Sequence, residues 1–490
     1  MRYGVNITKG SVTSSFFWKA FERIAAQGIN LVIQIVLARL LLPEEFGSLA
    51  ILVAIINYVG IFVQSGLGTA IVQKEDLDDL DVSTLFTASL GVAFIFYCGL
   101  FALAPIISSY YKMPNLIWPL RVLALSLFLS AVNSIQTGIL SRRMQFKRIF
   151  MRSMIAIPVS GAIGIVLAYC GFGLWSLVIQ NLLNSLIVVI VMSIGNDMSI
   201  KLGFSVKKAR ELYLFSGKIL LANLVSGLHD TIRTMTIGKK YSAVDLAYYD
   251  KAYTYSNYIT QVVNGSINSV LLPVFSRSQT QNEKLKEMAR KSCRLAAFIM
   301  FPILLGVAGV ARPLVSILLT DKWLPCVPYL IVFCVLRMPG CIMAIDKQMF
   351  YALGRSGINL VYEIFLLILN LSVLSVTVRY GVFAIAIGAT AVELVGSAVI
   401  AVIGSKTYSY RVREKISDII KPLINSCIMF FVVYYIGKII TINEILVLFI
   451  QIIFGILVYI LLGVVTRDAG CKYLLSIIKN FKKRNLSKGD

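Results

Sequence analysis

The chain has 490 residues, of which 58% are hydrophobic and only 14% charged, with a mean hydropathy of +0.81. Soluble domains carry about 25% charged residues, so the composition argues against a soluble enzyme and for a polytopic membrane protein. The net charge of +23 does not point to nucleic acid. The basic residues fall in short segments between apolar runs, which is the distribution that orients a membrane protein.

The apolar pattern predicts an all-α integral membrane protein of about 14 transmembrane helices. Met1 to Ser14 is polar and does not read as a cleavable secretory signal. The first long stretch, Ser11 to Leu42, carries Lys19, Glu22, Arg23, Gln27, Asn30, Gln34 and Arg39. Lys19, Arg23, Gln27, Asn30 and Gln34 recur at helical steps and share one face. Lipid cannot solvate such a stripe, so it must face protein or a water-filled cavity. We read it as the wall of a central polar cavity. The first six helices are expected at about 12–41, 44–65, 83–108, 117–140, 150–170 and 173–195. The next six are expected at about 210–237, 244–272, 290–311, 325–350, 357–379 and 382–404, and a last pair at about 417–438 and 444–466. Pro43, Gly171, Pro313 and Gly381 punctuate the tight turns on one side.

The seventh predicted helix has its own stripe: Asn223, Ser226, Asp230 and Arg233, with Lys218 before them. The eighth carries Asp250 and Lys251 near one end, then Tyr255 and Tyr258. Arg121 falls within the fourth span, Arg337 and Asp346 within the tenth, Glu363 within the eleventh and Glu393 within the twelfth. Each ionisable group in a membrane helix costs roughly 2.5–3.5 kcal/mol on insertion scales, so a common reason for them is needed. Two readings stand. Lys19, Lys218, Lys251 and Glu363 can snorkel, and Glu22 with Arg23, or Asp230 with Arg233, can form structural ion pairs. Alternatively, the first and seventh helices line a cavity together. The candidate substrate-binding residues are Lys19, Arg23, Gln27, Asn30, Lys218, Asp230, Arg233, Lys251 and Arg337. Candidates for proton or sodium coupling are Asp230, Asp250, Glu363 and Glu393.

Alternate loops are basic: Arg142 to Arg152, Lys201 to Arg210, Arg277 to Arg294 and Lys406 to Lys421. The bias predicts that both termini are cytoplasmic. The loop from Gln64 to Ser83 departs from it, with Glu75, Asp76, Asp78, Asp79 and Asp81 against Lys74. The chain also repeats weakly. Residues 37–50 overlay 237–250 at an offset of 200, and 170–181 overlay 380–391 at an offset of 210. These overlays predict two parallel six-helix bundles, at 1–209 and 210–410, followed by a helix pair at 411–466 and a basic tail at 467–490.

No catalytic motif is found. Gly404-Ser405-Lys406-Thr407 lacks the Gly-Lys order of a phosphate loop. The eight cysteines form no CxxC pair, and the single histidine, His229, excludes a multi-histidine site. No metal site and no cofactor are expected, and the chain reads as a transporter, not an enzyme.

The turn Ala38-Arg39-Leu40-Leu41-Leu42-Pro43-Glu44-Glu45-Phe46-Gly47, the segment Gly66 to Gln73 and the acidic run Glu75 to Asp81 resemble the polysaccharide-transporter branch of the multidrug/oligosaccharidyl-lipid/polysaccharide exporters. That branch holds the Wzx-type flippases, with the colanic-acid and teichuronic-acid exporters among them. The resemblance covers about residues 10–465 and assigns motif roles to Arg39, Pro43, Phe46 and Gly47. It implies two bundles around a V-shaped cavity in the bacterial inner membrane. It also implies a substrate, an undecaprenyl-diphosphate-linked oligosaccharide flipped from the cytoplasmic to the outer face for surface polysaccharide assembly. Implied partners are the lipid-linked oligosaccharide, membrane lipids and a polysaccharide polymerase or ligase complex; nucleic acid is not among them. Three other functions stay open: a multidrug or cation exporter, a peptidoglycan-precursor flippase, and a membrane glycan polymerase or ligase.

Overall fold

The computed structural model describes residues 9–64, 71, 77–194, 203–276, 282–440 and 443–472. The side chains of 9–24, 211–216, 218–219, 262–263, 266–274, 276, 282 and 356 are outside that description. The described residues are almost entirely helical and include no strand. The membrane-scale helices are α1 Lys9–Leu40, α2 Pro43–Gln64, α3 Asp79–Tyr111, α4 Pro114–Arg142, α5 Phe146–Tyr169, α6 Leu174–Ser193 and α7 Val206–Lys240. They continue with α8 Ala243–Ser276, α9 Asn282–Gly309, α10 (Asp321–Leu336 with Gly340–Ala352), α11 Ser356–Thr377, α12 Val382–Tyr408, α13 Val412–Ile439 and α14 Glu444–Val465. A short helix, Ala311–Leu319, precedes α10.

Among the described residues, 10 helices are long and apolar enough to cross a membrane, or 11 with the bent α10. The chain is a multi-pass membrane protein. Helices α1, α7 and α8 are not among those 10. They are the helices whose sequences carry the polar stripes and the Asp250-Lys251 pair.

Several helices run past their expected ends. Helix α3 begins at Asp79, not in the low eighties. The acidic run caps it. Asp78 accepts from the Asp81 backbone N–H at 2.6 Å and the Asp81 carboxylate accepts from the Asp78 N–H at 3.1 Å, which is a reciprocal capping box. Carboxylates at a helix N-terminus also meet its positive dipole end. Part of the supposed loop is therefore the start of a helix. Helices α7 and α9 likewise extend through the basic segments that read as loops, taking in Lys207, Lys208, Lys284 and Lys286. Helix α10 is bent by 49°. Pro339, at the break, has no N–H to continue the ladder and its ring crowds the preceding turn.

The two breaks α1–α2 and α7–α8 stand 200 residues apart, at 41–42 and 241–242. Each is closed by an acid three residues on. The Glu45 carboxylate accepts from the Leu42 N–H at 2.7 Å. The Ser242 hydroxyl donates to Asp245 at 2.7 Å and accepts from the Asp245 N–H at 3.0 Å. The second overlay needs adjustment. The helix starts align Gly173, at the head of α6, with Gly381, at the head of α12, and both have positive φ. That is an offset of 208, two short of the sequence overlay.

Contacts divide the chain into two compact units, Met1–Asp250 and Lys251–Asp490. In the first, α5 packs along α1 and α6, and α7 lies against α2 and α3. In the second, α9 packs along α13, α11 against α12, and α13 against α14.

Gly47 explains one residue of the turn motif. A side chain there would run into the backbone carbonyl of Ala243, so the heads of α2 and α8 approach as closely as backbones allow. Gly47→Val should destabilise the protein by about 1–3 kcal/mol through overpacking, read as a lower melting temperature in detergent. Gly28→Ala, where an added methyl meets nothing within 4 Å, should stay within about 0.5 kcal/mol of the parent.

Candidate functional site

In the first unit, Gln27, Asn30 and Gln34 lie partly exposed along α1. The side chains of Lys19, Arg23 and Lys218, also expected at the site, fall outside the described residues. On α7, Arg233 is 5% exposed and pairs with Asp230 one turn earlier. It also donates to the Tyr249 hydroxyl at 3.1 Å and faces His229 Nδ1 at 3.3 Å. The Asp230 side chain is 46% exposed. Burial thus turns the guanidinium inward and leaves the carboxylate on the exposed side of the pair. Asp250, partly buried, ends this unit.

The second unit gathers cations and aromatic rings around the bend of α10. Arg337 sits at that bend with its guanidinium 4.2 Å from the centre of the Tyr253 ring. It donates to the Ser256 hydroxyl at 3.3 Å and stands 3.6 Å from the Glu393 carboxylate of α12. The site therefore joins α8, α10 and α12. The Arg337 side chain is 6% exposed and that of Glu393 is 38% exposed. Lys251, buried near the head of α8, has its ammonium 5.7 Å from the Trp323 ring and 5.9 Å from the Tyr255 ring. Aromatic faces stabilise such cations away from bulk water. Tyrosine and tryptophan faces beside cations can hold a sugar ring together with an anionic group.

Glu363, expected as a coupling residue, is held by Lys347 at 2.7 Å, joining α11 to α10. Asp346 is buried, and the Lys415 ammonium donates to its two oxygens at 2.7 and 2.8 Å. Tyr408 also donates to Asp346, and the Tyr408 and Tyr410 rings flank the ammonium, each 5.3 Å away. Gly404, weighed above as part of a phosphate loop, makes room for this pair. A Cβ there would stand 2.9 Å from Asp346 and 3.0 Å from Lys415. Lys415 is therefore not a free cytoplasmic loop charge. Nearby, Asp418 of α13 accepts from Arg290 at 2.8 Å, Arg294 at 2.6 Å and Tyr410 at 2.8 Å. Charge-assisted bonds of this kind rivet α13 to α9.

An apolar groove of about 340 Å³ lies among α9, the short helix, α13 and α14, with Pro302, Gly306, Met429, Val433, Gly455 and Tyr459 in its wall. No cluster of three or more potential metal ligands occurs among the described residues.

Residues 36–328 match the family model described as polysaccharide biosynthesis protein. The chain belongs to that family. Pro43, Phe46, Gly47, Asp230, Arg233, Lys251 and Trp323 lie inside the matched region, whereas Gln27, Asn30 and Gln34 precede it and Arg337 and Glu393 follow it. Among similar proteins, the succinoglycan biosynthesis transport protein ExoT of Rhizobium meliloti is 24% identical over 64% of this chain and 63% of its own. The lipopolysaccharide biosynthesis protein WzxC of Escherichia coli is 22% identical over 71% of each chain. The teichuronic acid biosynthesis protein TuaB of Bacillus subtilis is 21% identical over 62% of this chain and 64% of its own. The chain thus matches somewhat under two thirds of the length of ExoT and TuaB. In fold, the chain is similar to the lipid II flippase MurJ in an inward closed conformation, with a TM-score of 0.76 over 92% of this chain and 99% of that one, at 15% identity. A MATE family multidrug transporter in an inward-facing conformation gives a TM-score of 0.66 over 80% of this chain and 98% of that one. The fold is thus that of the multidrug/oligosaccharidyl-lipid/polysaccharide transporters.

The partners Tyr253, Ser256, Trp323, Lys347 and Lys415 escaped the sequence reading of this family member as contacts of named charges. Tyr253 stands two residues before Tyr255 on the eighth helix, which is the one sequence signal any of them carried. Removing one partner of a buried ion pair typically destabilises by about 3–5 kcal/mol. Asp346→Leu or Lys415→Met alone should lower the melting temperature in detergent sharply, and the double variant should recover most of the loss.

Proposed function

We propose that this protein is a flippase for undecaprenyl-diphosphate-linked oligosaccharide, moving repeat units from the cytoplasmic to the outer face of the bacterial inner membrane. What carries this reading is the polysaccharide-family match over residues 36–328 on a fold shared with a lipid II flippase. The names of ExoT, WzxC and TuaB support the same role. Both termini are cytoplasmic in this reading, because the basic loops alternate.

Transport proceeds by alternating access, with two six-helix bundles at 1–209 and 210–410 and the helix pair at 411–466. Lys19, Arg23, Lys218 and Arg233 form the cationic stripes that receive the diphosphate and the polar sugars next to it. Arginine suits phosphate because its planar fork makes two parallel hydrogen bonds. Lys251 and Arg337, between aromatic rings, receive the polar sugars. The isoprenoid tail stays in lipid, and the apolar groove of the second unit offers it a seat. Each charge moved through 100 mV is worth about 2.3 kcal/mol. A doubly charged diphosphate leaving an inside-negative cell therefore gains about 4.6 kcal/mol. Proton or sodium coupling through Asp230, Asp250, Glu363 or Glu393 belongs to the same proposal, as does delivery to a polymerase or ligase. No cofactor and no catalytic step are assigned.

The test is gene deletion with complementation, following lipid-linked oligosaccharide on each membrane face. The expected result is accumulation on the cytoplasmic face and loss of surface glycan, both restored by the parent protein. Neutralising Lys19, Arg23 and Arg233 together should abolish that restoration while leaving the protein in the membrane. Normal movement to the outer face with failure only in chain growth would favour a polymerisation role. An unchanged glycan with altered drug resistance would favour a drug exporter.

A further inference from the structure

The acidic run that breaks the positive-inside pattern has a partner. Lys208, in the first turn of α7, donates to Asp78 and stands 3.3 Å from Asp81. Asp81 is fully buried, whereas the Asp78 and Lys208 side chains are 55% and 24% exposed. The segment leading into α7 docks on the same two turns of α3. Thr87 donates to the Gly203 carbonyl at 3.1 Å, and the Ser205 N–H donates to Thr84 at 3.3 Å. At the far end of both helices, Lys239 donates to the Tyr110 carbonyl and lies 4.0 Å over its ring. Helix α3 has 33 residues, so the two lysine contacts are about 50 Å apart.

The bonds holding α3 differ from side to side. Toward α4, Val82 and Leu85 join Ile135 and Ile139 in a buried apolar cluster. Toward the head of α7, the contacts are an ion pair and hydrogen bonds, which water can replace one for one. Asp78 and Asp81 cap α3 by themselves, so the helix start does not need Lys208. The hydrogen bond from Lys208 holds the Asp78 carboxyl below its ordinary range, so both partners stay charged at neutral pH. The head of α7 is therefore attached to a fixed helix by exchangeable bonds.

We propose that Lys208 with Asp78 and Asp81 is a latch that keeps the basic-loop end of α7 on α3, and that its release opens this end of the protein to substrate. The proposal rests on alternating access as read above. Its first test uses no substrate, so the latch and the transport reading fail separately.

Thr84 is completely buried beneath the 203–205 segment. In the full-length protein with the eight native cysteines replaced, Thr84→Cys reports release through its rate of alkylation by a polar maleimide in detergent. Lys208→Glu should raise that rate about tenfold or more, since a charged hydrogen bond is lost. Lys208→Met should raise it less, and Lys208→Arg should leave it near the parent. Lys239→Gln, at the far end, should not change it. Equal rates in Lys208→Glu, Lys208→Met and Lys208→Arg would overturn the latch. In membranes, oxidising Thr84→Cys with Ser205→Cys should stop transfer of lipid-linked oligosaccharide until a reductant is added. Transfer that continues with this pair cross-linked would overturn the gating role.

Discussion

An ionisable group inside a membrane bundle must find its solvation in protein, and the pairing of those groups governs what this structure can do. The pairs fall into two kinds. Asp346 and Lys415 are both nearly inaccessible, at 1% and 2% side-chain exposure, and two tyrosine rings close the sides. Such a pair cannot exchange its partner without unpacking the helices. Arg337 and Glu393 are 3.6 Å apart, and the carboxylate is 38% exposed. Asp230 is likewise exposed while Arg233 is not. A pair with one open member can trade that member for a ligand group or a proton. The closed pair braces the frame, and the half-open ones are where the proposed site has room to exchange partners.

Further ionic contacts, with partly exposed members, cluster with the closed pair at one end of the second unit. Lys415 and Asp418 tie α13 to α10 and α9, Tyr408 adds the end of α12, and Glu414 adds Lys286 of α9. Small residues then let the helices close further along. A Cβ at Gly309 or Gly455 would press on Val433 of α13, and small residues let helix backbones approach in lipid. The helix pair α13–α14 is therefore an integral part of this unit, and the walls of its apolar groove are set by ionic contacts about 10 residues or more away along α13.

How much of this was readable from residues alone depended on the range of the interaction. The order of most helices rests on apolar length, a local quantity, and was legible there, whereas α1, α7 and α8 fall short of that measure. The Asp230–Arg233 pair is three residues apart and could be weighed in advance. The start of α3 was missed because aspartates read as loop, although Asp78 and Asp81 have capping-box spacing. The bend of α10 was also written locally, in Pro339. By contrast, Lys415 meets Asp346 across 69 residues and Arg337 meets Ser256 across 81. The positive-inside rule counts a lysine by its distance from a helix end, and no local pattern reveals that a buried carboxylate awaits it. The aromatic walls around Lys251 and Arg337 were equally out of reach, since tyrosines near a helix end also fit an interfacial belt.

The repeat gives the site its logic. The heads of α2 and α8 carry matching acid-closed breaks at an offset of 200, and Gly47 brings them into backbone contact. Apolar packing needs shape complementarity and resists sliding, so a point this close can serve as a pivot but not as a gate. The opposite end of α7 meets α3 through charges and hydroxyls instead. The α7–α8 break is thus anchored by the close approach of the α8 head to α2, with Lys239 on Tyr110 beside it, while the head of α7 is held on α3 by bonds that water can exchange. On the transport reading proposed above, the polar stripes on α1 and α7 answer the same constraint: lipid cannot solvate them, so each needs protein or water beside it in every state.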